Sequence, residues 1–200
     1  MKQKDKSSDE STEAALPNLN KVYKDEPFCY WFTGLCDGEA SFCSGKNEYR
    51  KTYLPRFKLC LEGDDELLLD IESRFRIGYF RVGWKPLSFS GQGVPYSHRG
   101  DWDIKDVGGM AHCALLVEFF QRYPLRSHRK RDFGIWTKFL ARSQELIRTR
   151  KLLSSHGASE LLSFSLELSK GKTSGQSQNA QRTMKEWLAY HQSQIDAMLF

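Results

Sequence analysis

Two carboxylates, Asp37 and Glu39, flank a glycine within the stretch WFTGLCDGEASF, residues 31–42. The aromatic and apolar residues before them predict a helix that ends near Gly38. Carboxylates are disfavoured at such a position, because the C-terminus of a helix is the negative end of its dipole. A hard divalent cation such as Mg²⁺ takes oxygen ligands and would reverse that penalty. The alternative is that Gly38 caps the helix and that both acids are solvated.

The same predicted helix carries two glycines, Gly34 and Gly38, on one face, because the two residues are four positions apart. Glycine costs a soluble helix about 0.5–1 kcal/mol relative to alanine. A pair of glycines on one face therefore favours a packing role, in which another backbone approaches the helix closely.

The elements that must position these residues follow from hydrophobic periodicity and capping signals. Asp25 predicts the N-cap of the first helix, and Pro27 is tolerated in its first turn. Further helices are predicted at 66–76, 109–122 and 129–150, strands at 40–46, 53–62, 78–84 and 101–107, and a long loop at 85–100. This order predicts an α+β fold with a four-stranded, mostly antiparallel sheet and helices on one face. The other face would be open to a partner.

One main domain, residues 25–152, is predicted between two polar segments. Residues 1–24 are mostly Lys, Asp, Ser and Glu, which predicts a disordered leader. Residues 153–200 are interpreted as a polar linker followed by a C-terminal helix. Within them, 154–180 are rich in Ser, Gly, Gln and Lys and predict a linker or a weakly packed excursion, and 181–199 predict the helix.

Cysteine usage and hydropathy exclude several classes of protein. The five cysteines form no Cys-x-x-Cys pair, so a zinc site is not expected. An odd count without a signal peptide predicts reduced thiols inside a cell, in a bacterial cytoplasm or an organelle matrix, rather than secretion. No apolar run reaches the roughly 18 residues that a membrane span needs.

Basic residues are concentrated in two places. Residues 126–151 hold nine basic and two acidic side chains, although the whole chain has a net charge of only +5. Such a run neutralises phosphates in nucleic-acid-binding proteins, and the alternative is a solvated helix face. A second group lies on the predicted strands and their connections, where alternate residues project from the open face of the sheet: Lys46, Arg50, Lys51, Arg56, Lys58, Arg81 and Lys85.

The segment FTGLCDGEA, residues 32–40, resembles the nine-residue signature of the LAGLIDADG homing endonucleases. Its apolar positions, first glycine and first acid agree with the signature, and Glu39 takes the place of the second acid. Ala40 departs from the usual final glycine, which puts the turn into the first strand in doubt.

Two later segments support the same resemblance, which covers roughly residues 27–145. RFRIGYF, residues 74–80, looks like the segment that leads into the third strand of that family. YPLRSHRKRDFGIW, residues 123–136, looks like the segment that opens its late basic helix. The resemblance implies the αββαββα fold of single-motif family members.

The resemblance implies an intron-encoded, site-specific DNA endonuclease that hydrolyses phosphodiester bonds with Mg²⁺. Glu39 would be the metal ligand, with Asp37 as a second candidate ligand or as an orienting residue. A single motif implies a homodimer that packs through Gly34, Leu35 and Gly38. Because a homodimer has twofold symmetry, its double-stranded DNA target would be long and roughly palindromic.

The resemblance also implies a basic residue, usually lysine, near the start of the late helix. His128 takes the closest place, and Arg126, Arg129 and Lys130 beside it are candidates for DNA contact. Glu62 takes the place of a glutamine that the family often has at the end of the second strand. Together with Glu39, His128 and Glu62 complete the predicted catalytic set.

The departures at His128 and Glu62 mildly favour two alternatives on the same scaffold. One is a maturase that binds intron RNA and helps the host intron to splice. The other is a DNA-binding protein that has lost catalysis. The presence of Glu39, an acid at the metal-binding place of the signature, favours the nuclease over both alternatives.

Overall fold

The structure is a computed structural model that describes residues 19–48, 51–86, 96–104, 106–170 and 175–198. Within these ranges no helix combines the length and the apolar character that a membrane span requires. The elements are α1 (Leu19–Val22), α2 (Glu26–Glu39), β1 (Ala40–Asn47), β2 (Thr52–Glu62), α3 (Asp65–Phe75), β3 (Tyr79–Pro86), β4 (Tyr96–Ile104), α4 (Asp106–Arg122), α5 (Arg129–Arg148), α6 (Ser155–Ser169) and α7 (Gly175–Ala197).

The four strands form one antiparallel sheet in the order β1-β2-β4-β3. Successive strand residues point to opposite faces. Phe57 and Trp102 project into the core that the helices build, whereas their neighbours Arg56 and Asp103 project to the other face. The predicted α+β fold, with a four-stranded antiparallel sheet and helices on one face, is confirmed.

The helix α2 begins and packs as its sequence predicts. The Asp25 side chain accepts a hydrogen bond from the backbone N–H of Phe28 at 3.2 Å and caps the helix. Phe32 lies at the centre of the core, with its ring centroid 4.7 Å from Phe75 and 5.4 Å from Phe119. Burial of this aromatic face fixes the rotation of α2, so its glycine face points outwards.

The passage from α2 into β1 does not need a glycine. Ala40 has φ −74° and ψ 153°, an extended conformation that any residue adopts, and its N–H bonds to the carbonyl of Cys36. Ala40 is also fully buried. The departure from the family signature at this position therefore carries no backbone strain.

The second hairpin is longer than the sequence indicated. The register pairs Trp84 with His98 and Lys85 with Ser97, so β3 and β4 extend into the predicted loop 85–100. Residues 87–95 lie outside the described residues. Conversely, the predicted strand 101–107 stops at Ile104, and α4 starts at Asp106. Hydrogen bonds between the paired strands satisfy the backbone groups of this segment. The glycines and prolines in the sequence indicate a turn, but they do not show how far the strands continue on either side of it.

The predicted disordered leader 1–24 is wrong over its last residues, and residues 1–18 lie outside the described residues. Leu19 and Val22 are buried in α1. The Tyr23 ring lies 6.2 Å from that of Phe119 and 6.1 Å from that of Tyr123, centroid to centroid. These contacts attach the segment to the core.

The predicted linker 154–180 is wrong over Ser155–Ser169, which form α6. The Ser154 hydroxyl accepts a hydrogen bond from the backbone N–H of Gly157 at 3.1 Å and caps this helix. Leu161 and Leu168 are buried in the same core as α2. The serines between these leucines make the segment look polar, so the helical spacing of its leucines is not evident from the sequence. The helix α7 starts six residues before the predicted helix at 181.

Replacement of Leu161 by alanine is expected to lower the free energy of unfolding by about 2–5 kcal/mol, because it removes a fully buried side chain and leaves a cavity. Urea denaturation followed by circular dichroism measures this change. The matched control is Leu153→Ala, since Leu153 is 68% exposed. Equal stability of the two variants would show that α6 does not belong to the core.

Candidate functional site

Two of the predicted catalytic acids line one open cavity of about 460 Å³. Glu39 is the last residue of α2, and Glu62 is the last residue of β2. The pairing of Ala40 with Leu59 brings the ends of these two elements together. The remaining lining residues are Leu35, Cys60, Leu61 and Asp64.

Asp64 is a cavity residue that the sequence did not identify as part of a site. It is the N-cap residue of α3, but its side chain makes no capping hydrogen bond. Its position two residues after Glu62, across the positive-φ residue Gly63, was the available signal. The turn at Gly63 puts both carboxylates at the rim of the same cavity.

Asp37 ties the end of α2 to the segment that leads into α5. Its Oδ2 accepts a hydrogen bond from the backbone N–H of Arg126 at 2.9 Å, and its Oδ1 accepts one from the backbone N–H of Ser127 at 3.1 Å. The Ser127 hydroxyl also donates to Oδ1, at 2.8 Å. Both carboxylate oxygens are therefore engaged within the chain.

The hydrogen bonds of Asp37 favour its charged form. Partial burial by itself raises the pKa of this carboxyl group, but the hydrogen bonds from Arg126 and Ser127 outweigh burial. The nearby His128 adds to this effect, and the pKa of Asp37 lies below its ordinary value. Asp37 is thus a stable anion at neutral pH.

Arg129 places a fixed positive charge beside the end of α2. Its Nη2 lies 3.4 Å from the carbonyl oxygen of Gly38, and its backbone N–H donates to the Ser127 hydroxyl at 3.1 Å. A cation at this position offsets the negative end of the helix dipole. The Nε of Arg129 is buried without a hydrogen-bond partner among the described atoms.

The remaining predicted residues at the start of α5 are exposed. His128 is the N-cap residue of α5, in a helical conformation and without a side-chain capping bond. Arg126, His128 and Lys130 are exposed, whereas Arg129 is half-buried. Asp37 therefore brings a short basic segment next to Glu39.

The glycine face of α2 is open to its surroundings. A Cβ atom added to Gly34 or Gly38 would meet nothing within 4 Å. Trp31, three residues before Gly34, is 44% exposed, and Leu35 is partly buried. Within the described chain, this face is a stripe of small and aromatic residues without a covering element.

The predicted DNA-contacting residues of the sheet fall into two groups. Arg56, Lys58 and Arg81 share one face with Asp103, which we call the outer face. Lys46 and Lys51 instead contact α7: the Nζ of Lys46 lies 5.2 Å from the Trp187 ring centroid, and that of Lys51 lies 3.8 Å from the Tyr190 ring centroid. The Nζ of Lys46 is also 2.6 Å from an oxygen of Glu48. Of the other two residues, Lys85 lies in β3 and Arg50 falls outside the described residues.

Neither a protein-family model nor a curated protein matches this chain. Solved structures do match it. The homing endonuclease I-TnaI has a TM-score of 0.59 and 21% identity, over 80% of this chain and 97% of that chain. An archaeal intron-encoded homing endonuclease, I-Vdi141I, complexed with DNA, has a TM-score of 0.53 and 18% identity, over 82% of this chain and 98% of that chain.

The chain has the fold of the LAGLIDADG homing endonucleases. The meganuclease I-SmaMI bound to uncleaveable DNA is a further match, with a TM-score of 0.53 and 23% identity. This chain aligns over 76% of its own length and spans about half of I-SmaMI, 48%. In this LAGLIDADG fold, the cavity with Glu39 and the glycine face of α2 lie at the same end of the signature helix.

Asp37→Asn is expected to cost about 1–3 kcal/mol of stability near neutral pH, because an amide cannot accept all three hydrogen bonds. The folded-state pKa of Asp37 is depressed, so its contribution is complete above the unfolded value of about 3.9 and is lost as the pH falls through the folded pKa. Urea titrations of both proteins across this range measure the effect. Asp196→Asn, at an exposed position of α7, is the control. A stability difference that persists below the folded pKa would contradict the assignment.

Proposed function

We propose that this chain is a Mg²⁺-dependent, site-specific double-strand DNA endonuclease of the homing type, which acts as a homodimer on a long, roughly palindromic site. The observation that carries the proposal is the placement of Glu39 and Glu62 in one open cavity, at the cavity end of the glycine face of α2. The fold supports the same conclusion, because I-TnaI is a homing endonuclease and the I-SmaMI and I-Vdi141I structures contain DNA.

The cavity has the chemistry that a hard cation requires. Glu39, Glu62 and Asp64 offer carboxylate oxygens. Within the part of the chain that the structure describes, no three His, Cys, Asp or Glu side chains converge to hold an ion by themselves. Mg²⁺ keeps several waters and takes one or two carboxylates together with phosphate oxygens, so two carboxylates from each chain would suffice for the proposed site. When bound, Mg²⁺ would activate water and stabilise the leaving oxygen.

Glu39 and Glu62 are the ligands that we assign to each chain. Both carboxylates are exposed at the cavity rim, within reach of an incoming phosphate. Asp37 has a different role, since both of its oxygens accept hydrogen bonds from Arg126 and Ser127. It holds the basic segment in place and is not needed as a ligand.

Arg129 is the residue that we assign to the scissile phosphate. Its guanidinium lies beside the Gly38 carbonyl, one residue before Glu39, and its buried Nε lacks a partner among the described atoms. An arginine always carries its charge and binds phosphate through several N–H groups. Although His128 stands where lysine is usual, Arg129 therefore gives the site a permanent positive charge. The exposed His128 is a candidate proton carrier.

The glycine face of α2 is the surface that we assign to the dimer. Gly34 and Gly38 leave room for a second backbone, and Leu35 also lines the cavity. A twofold contact along this face would place two copies of Glu39 near the same axis. Two acids close to one axis would hold ions at two phosphates, one on each DNA strand, as double-strand cleavage requires.

Glu39→Gln is expected to abolish metal-dependent cleavage, because the amide removes the charge that holds the cation. The assay is cleavage of duplex DNA that spans the uninterrupted host locus, with Mg²⁺ or with EDTA. Glu186→Gln, at an exposed position of α7, is the control and should cut as the wild type does.

Three results would contradict the proposal of a Mg²⁺-dependent nuclease. Wild-type cutting that persists in EDTA would exclude the metal. Salt-sensitive binding to the duplex without cutting would indicate a DNA-binding protein that has lost catalysis. Preference for the intron RNA over the duplex would indicate the maturase.

Gly34→Leu is expected to weaken the homodimer at least tenfold, because each copy of the overpacked contact costs about 1–3 kcal/mol. The fold of the monomer should not suffer, since a Cβ at Gly34 meets nothing within 4 Å. Gly134→Leu is the matched control, because Gly134 is a helical glycine with equally open surroundings on α5. Sedimentation equilibrium measures the dissociation constants. A wild-type monomer, or equal dissociation constants for both variants, would exclude this interface.

A further inference from the structure

A carboxylate is buried on the outer face of the sheet, opposite the helices. Asp103 lies in β4 between Trp102 and Ile104, which point into the core. Asp103 itself has 0% relative exposure. A buried carboxylate is costly unless other groups neutralise it, so its neighbours must account for its presence.

Two neighbouring strands, β2 and β3, supply the partners of Asp103. From β2, the Nε of Arg56 donates to Oδ1 at 2.8 Å, and its Nη2 donates to Oδ2. From β3, the Nη2 of Arg81 donates to Oδ2 at 3.0 Å, and the Tyr79 hydroxyl donates to it at 3.4 Å. The Arg81 guanidinium also donates to the Tyr79 hydroxyl, at 3.0 Å. The carboxylate is thus satisfied by two guanidinium groups and a phenol.

The bidentate pair leaves one edge of Arg56 directed away from Asp103. The pair uses the Nε and Nη2 edge, so the Nη1 and Nη2 edge points the other way by covalent geometry. The latter edge can donate two parallel hydrogen bonds, as arginine does to O6 and N7 of guanine in the major groove. Because Asp103 already holds the guanidinium, less side-chain freedom remains to be lost on binding.

The charge around Asp103 exceeds what a structural ion pair needs. One arginine neutralises one carboxylate, yet Arg56 and Arg81 both form ion pairs with Asp103. Two guanidinium groups therefore contact a single carboxylate. The Arg81 side chain is 50% exposed and that of Arg56 is 26% exposed. This surplus favours a polyanion on the outer face.

We propose that Arg56 reads a guanine in the major groove of duplex DNA and that Asp103 is the positioning residue that presents it. The inference rests on the proposed function and adds one base preference per half-site. Duplex DNA is favoured over RNA as the ligand, because the major groove of an RNA helix is too deep and narrow for side chains to read.

The test is selection of binding sites from a library of random DNA duplexes, with sequencing of the bound fraction. The wild type should prefer G·C at one position of each half-site by roughly 5- to 150-fold. Arg56→Lys keeps the charge but loses the planar fork, so it should lose that preference while the other positions stay unchanged. Arg142→Gln is the control, since Arg142 also pairs with carboxylates, Glu145 and Glu160, but lies on α5.

The variant Asp103→Asn distinguishes a role of Asp103 in positioning Arg56 from a role in stability alone. It should reduce the same G·C preference, and combining it with Arg56→Lys should reduce it no further, because both changes act on one contact. A structural role alone would lower the melting temperature and leave the base preferences intact. If Asp103→Asn does not fold, the Arg56→Lys selection decides alone.

Two results would overturn the inference. In the first, the wild type selects a site and Arg56→Lys selects the same site with the same base preferences, whether or not its affinity is uniformly weaker. Arg56 would then be only a phosphate contact. A wild type that enriches no DNA sequence would overturn the proposed function as well, and the two failures are therefore distinguishable.

Discussion

The hydrogen bonds between Asp37 and the backbone of Arg126 and Ser127 decide where α5 begins relative to α2. The end of α2 is an unfavourable place for two acids. The backbone N–H donors at one acid and the Arg129 guanidinium beside the Gly38 carbonyl offset that penalty. Once α5 is fixed there, its buried side chains set the position of α6, and Glu39 is left as the exposed acid at the cavity. The hydrogen bonds that stabilise the acids at the end of α2 thereby also set the arrangement of the helices α2, α5 and α6.

Local signals in the sequence predicted most of the elements but not their full extent. Asp25 marked the start of α2 because a capping side chain acts within three residues. The start of β4 and the helix α6 were missed for a different reason, since both depend on partners far away in sequence. Leu161 and Leu168 bury against distant parts of the chain, and the serines between them mask the pattern. Propensity is a weak prior wherever tertiary packing decides.

The candidate site was predicted in part. Glu39 and Glu62 were identified through the family resemblance, and the structure brings them to one cavity. Asp64 was missed because only the turn at Gly63 brings it there. The buried Asp103 was missed because its role depends on strand register, which the sequence does not specify across a long connection. Nothing in the sequence indicated that Lys46 and Lys51 contact α7, because that helix lies far away in the chain.

The packing of α7 against the β1–β2 hairpin limits how this fold can be re-engineered. Lys51 has a positive φ of 45°, its carbonyl oxygen lies 2.9 Å from Nε2 of His191, and its ammonium group lies over Tyr190. Trp187 packs against Tyr53 on the same hairpin. The hairpin and the C-terminal helix are therefore one structural module, although these contacting residues lie more than 130 positions apart in the chain. Grafting the hairpin from a related protein would transfer half of that module, so recombination between relatives must exchange both parts together.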